Sequence, residues 1–87
     1  MNLVELKDIH HINSHIHYRR MFQANAVLEY LGRRPEVRSI KFTIEHSPVG
    51  GSSVHIDHLD PIDYPLLPAK QMLKKAIAEL DSAGKLG

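Results

Sequence analysis

The chain has 87 residues, 43% of them hydrophobic and 24% charged. That is room for one small domain and too much apolar content for disorder. It contains no cysteine, which excludes disulfides, thiolate metal sites and cysteine nucleophiles and suits a cytoplasmic protein. A net charge of +1 is too close to neutral for a dedicated nucleic-acid binder. The apolar runs are too short to span a membrane, and the N-terminus lacks the basic-then-apolar order of a signal peptide.

In chain order, "NLVELKDI" is a strand candidate in which Val4 and Leu6 alternate with Glu5 and Lys7. Between Ser14 and Gly32 the spacing changes. Met21, Ala24, Val27, Leu28 and Leu31 form an i, i+3, i+4 stripe, with Phe22, Ala26 and Tyr30 beside it. This predicts a helix, with Asn13 or Ser14 as its cap and Gly32 as its end. "VRSIKFTIEH" then alternates strictly, with Ile40, Phe42 and Ile44 on one side and Lys41, Thr43 and Glu45 on the other. "SPVGGSS" supplies turn residues, and "SVHIDHLD" returns with Val54 and Ile56 opposed to His55 and Asp57. Together these segments predict a β-hairpin with a loop of several residues. Last, Leu66, Ala69, Leu73, Ala76, Ile77 and Leu80 make a helical stripe that ends at Gly84, with Pro65 and Pro68 at its start.

The expected fold is therefore α+β: one two-layer β-α-β-β-α domain over residues 1–87, with a three-stranded sheet and two helices packed on one face. Its open sheet edges invite pairing into a homodimer.

The chemistry is less defined. The seven histidines include His10, His11, His15 and His17 within eight residues, and His55, Asp57 and His58 lie close together further on. Imidazole and carboxylate suit zinc, nickel, copper or iron. The candidate metal set is His15, His17, His55 and Asp57, with His10, His11 and His58 in reserve. No H-E-x-x-H spacing is present, so the plainer expectation is that these residues form the wet side of their segments. "GGSSVHID" offers Ser52 or Ser53, His55 and Asp57 in a row. Residues two apart on a strand point the same way without converging on one hydrogen-bond chain, so a hairpin loop is expected there and not a triad. Arg19, Arg20, Arg33, Arg34, Arg38 and Lys41, with Lys70, Lys74 and Lys75, provide cations for phosphate. The few aromatics offer no stacking platform, so a solvated charged face is expected and a nucleic-acid partner is not.

The functional expectation is a soluble, non-enzymatic accessory or protein-interaction module. It would be homo-oligomeric, self-associating through a sheet edge or a helix face, with a further protein partner open to it and no membrane partner. Two alternatives stand beside it. One is a divalent transition-metal binder of zinc or nickel type, the only cofactor class the residues would accommodate. The other is a small enzyme whose site forms at a dimer interface.

Overall fold

The strict alternation around Phe42 forms the centre of the sheet. In the computed structural model, which describes residues 1–12, 18–30 and 32–86, there are four strands: β1 (Asn2–Ile12), β2 (Arg19–Glu29), β3 (Glu36–His46) and β4 (Ser52–Leu59). A single helix, α1 (Leu66–Ser82), follows them. The strands run in the order β1-β2-β3-β4, each antiparallel to the next. This corrects the expected β-α-β-β-α order: there is one strand more and one helix fewer, and the sheet contains no parallel crossover.

The difference lies between Tyr18 and Tyr30. The stripe Met21, Ala24, Val27, Leu28 reads as helical, but a second period runs through the same residues. Phe22, Ala24, Ala26, Leu28 and Tyr30 are all buried, and they recur every second residue. Both readings fit because the segment is apolar on two sides. As an interior strand, β2 is flanked by β1 and β3 and buries Val27 on its second face as well. Pairing along both edges outweighs the helix preference of its alanines. Gly32 is accordingly a turn residue and not a helix cap. It sits at φ 64°, the left-handed region, beside a turn closed by the Arg33 N–H donating to the Tyr30 carbonyl (3.1 Å). The expected caps Asn13 and Ser14, and Leu31 from the stripe, lie outside the described residues.

The first strand is also phased differently from its expected reading. Val4 is 54% exposed, whereas Leu3, Leu6 and Ile9 pack against the core. A regular strand cannot place residues three apart on one face. Two irregularities make it possible: the register with β2 shifts between Leu3 and Glu5 and again between Lys7 and His10. Each adds one residue on β1, and Asp8 absorbs part of the second shift at φ 51°. A similar shift in β4 opposite Lys41 and Phe42 leaves Ile56 and Leu59, also three apart, packed on the core.

The helix forms as expected and buries Ala69, Leu73 and Ile77 against the sheet. Its end is a Schellman motif: the Gly84 N–H donates to the Asp81 carbonyl (3.0 Å) and the Lys85 N–H to the Leu80 carbonyl (2.9 Å). Gly84 takes φ 69°, and the chain then returns to bury Leu86. The core between sheet and helix centres on Phe42, Leu28, Ile40, Ile44, Leu73 and Ile77. Phe22 and Phe42 stack there at 5.1 Å.

Candidate functional site

Of the four residues in the candidate metal set, His15 and His17 lie outside the described residues. His55 and Asp57 do share the face of β4 turned away from the helix, as the alternation predicts. Each is already engaged. Thr43, buried on β3, donates its hydroxyl to Asp57 Oδ2 at 2.6 Å, and Ser53 Oγ lies 3.2 Å from His55 Nε2. Asp57 is thus turned to Thr43 and not to His55, so the run Ser53, His55, Asp57 forms no relay from carboxylate to imidazole to hydroxyl.

The remaining described histidines are in separate places. His10, Gln23, Lys41 and His58 occupy one row across the sheet, which puts His10 and His58 on opposite edges. Three strand spacings separate them, about 14 Å. His11 faces the other way, its ring 5.1 Å from that of Phe22. His46 accepts a hydrogen bond from Arg20 Nε (3.1 Å). His58 Nε2 meets Asp60 Oδ1 at 2.8 Å. That bond, together with the Ser39 N–H donating to the same carboxyl, holds Asp60 below the usual carboxylate range. Among the described residues, no group of three His, Asp or Glu side chains could hold a metal ion.

The cations are likewise taken up in holding the fold. Arg19 pairs with Glu45 (2.9 Å), Arg33 with Asp63 (2.8 Å) and Arg38 with Glu36 (3.0 Å). The Arg19 and Arg33 guanidiniums are raised further above their usual value by the hydrogen bonds they donate. Tyr30 donates to Glu36 (2.6 Å), which pushes its phenol up.

The most open feature of the apolar layer has no counterpart in the sequence motifs. Four strands span about 15 Å between the axes of the outer two, while one helix is about 10 Å across. The α1 backbone runs closer along β4 than along β1. The β1 side of the layer is therefore only partly covered. A groove of about 510 Å³ lies between β1 and α1, floored by Leu3, Leu6, Ile9, Ala76, Leu80 and Ala83, with Glu5, Glu79 and Lys85 also lining it. Leu3, Leu6, Ile9 and Leu80 remain half-buried there. The sequence signal for this strip is the three-residue spacing Leu3–Leu6–Ile9, which neither a strand nor a helix template selects.

No helix among the described residues is long and apolar enough to cross a membrane. No curated protein and no solved structure matches the chain. A family model does match it, over residues 1–82, and on that extent the chain belongs to the BB_0187 family.

Proposed function

We propose that this protein is a non-enzymatic accessory module of the cytoplasm that works by self-association. The observation that carries the reading is the half-covered apolar layer beside β1. A domain that folds to act alone has little reason to leave three core-facing aliphatic residues at the floor of an open groove. The shape supports it. The molecule measures 41 × 22 × 22 Å and exposes 5728 Å². A monomer of 9.9 kDa typically exposes about 5,200 Å². The excess is what an unpaired subunit carries.

The polar side chains support a non-catalytic role. His55, Asp57 and His58 of β4 are each spent on a neighbour within or beside the sheet. The absence of cysteine agrees with a cytoplasmic setting.

Sedimentation velocity from about 1 to 200 μM tests the reading. The weight-average mass should rise from that of one chain towards that of two across this range. A mass that stays at one chain throughout overturns it.

A further inference from the structure

The partner can be specified from β1 itself, on the reading that the protein self-associates. As an outer strand, β1 has backbone groups on one side that meet no other strand of the sheet. Its sequence around Leu6 is self-complementary. Counting outward in both directions from Leu6, Glu5 is matched by Lys7, Val4 by Asp8, and Leu3 by Ile9. The irregularities in the strand are arranged about the same point. The register with β2 is regular through Glu5, Leu6 and Lys7, and it shifts on either side of that stretch.

We infer that β1 pairs antiparallel with β1 of a second copy about a two-fold axis through Leu6, joining the two sheets edge to edge. In that register each Glu5 faces Lys7 of the other copy, and each Leu3 faces Ile9. Opposite charges directly across an antiparallel pair attract, and like charges repel. Within one chain Glu5 and Lys7 already lie 3.8 Å apart with both side chains about half exposed. Pairing therefore assembles four charges of alternating sign. On the other face it brings together the two half-covered strips of Leu3, Leu6 and Ile9, with an α1 beyond each.

The two-fold also explains why bulges on β1 are tolerated. A bulge usually blunts an edge against indiscriminate pairing. Here two bulges restrict the ladder to a short central stretch, so only a partner in this register matches both the charges and the aliphatic strip. The assembly closes as a dimer because a two-fold contact uses up both β1 edges. The outer edge left on each copy is β4, which carries its own bulge and the polar run Asp57, His58 and Asp60.

A charge exchange at exposed positions tests this without touching the core. Glu5→Lys places four lysines around the axis, and Lys7→Glu places four glutamates there. Either change alone should raise the dimer dissociation constant roughly tenfold, read by sedimentation equilibrium. The double variant E5K/K7E restores the alternation and should return to within about threefold of wild type. Circular dichroism should be the same for all four proteins.

A dimer indifferent to both single changes would overturn the β1 pairing and leave self-association standing. Single changes that weaken the dimer without rescue in the double variant would overturn the register. A wild-type protein that remains one chain at every concentration would overturn both readings.

Discussion

Arg20 ties the sheet to the helix. Its Nη2 donates to Asp81 Oδ1 at 2.7 Å and its Nε to His46, while its guanidinium carbon stands 5.8 Å from the centre of the Phe22 ring. Strand β2, strand β3 and the last turn of α1 thus meet at one side chain. Both partners of the ion pair are largely shielded, at 30% and 21% exposure. Asp81→Ala should therefore cost about 1–2 kcal/mol in urea unfolding, more than an exposed pair would.

Asp60 makes a pH-dependent contribution. Its carboxyl is lowered in the folded chain, first by the hydrogen bond from His58 and then by the Ser39 N–H. A group lowered on folding stabilises the fold above its unfolded pKa, and that contribution is lost as the pH falls through the folded value. The contribution of Asp60 should be complete at neutral pH, begin to fade near pH 4, and vanish below its depressed folded pKa. Wild type and Asp60→Asn, compared by urea midpoint from pH 7 to pH 2.5, should differ at the top of that range and converge at the bottom.

At the scale of elements, the β3–β4 hairpin and α1 are legible in the sequence because each shows a single clean period. Ile40, Phe42 and Ile44 fit only a strand, and Ala69, Leu73 and Ile77 fit only a helix. Strand β2 is not legible, since Ala24, Val27 and Leu28 satisfy one template while Phe22, Ala24, Ala26 and Leu28 satisfy the other. What decides between them is pairing with β1 and β3, which no local pattern records. Strand β1 shows itself as a strand, but simple alternation misplaces its inward face, because the bulges that align Leu3, Leu6 and Ile9 are a property of its pairing with β2. The open groove is hidden for the same reason. Its floor comes from β1 and α1, more than 60 residues apart in sequence.

The end of α1 offers a test of an element whose sequence and structure agree. Gly84 holds the left-handed conformation that completes the Schellman motif, and no atom stands where a Cβ would go. Gly84→Ala should therefore cost about 1 kcal/mol through backbone strain alone, measured by thermal or urea unfolding.

The molecule as a whole is one sheet with a helix over only part of it. That geometry makes stability and assembly interdependent: covering the β1 strip in a dimer adds to the stability of each subunit. The thermal midpoint should consequently rise with protein concentration. The polar face of the sheet, where His10, His55 and His58 lie, stays open in this arrangement, because pairing at β1 extends the sheet without covering it.

The central claim is that Glu5 of one copy faces Lys7 of another, and the absence of native cysteine allows it to be tested by cross-linking. Glu5→Cys and Lys7→Cys are prepared as separate proteins, mixed and oxidised. Residues directly across an antiparallel pair come within disulfide reach, whereas two copies of the same position are offset diagonally about the axis. The predicted result is a covalent dimer that forms faster in the mixture than with either variant alone. Equal or negligible cross-linking in all three samples would contradict the claim.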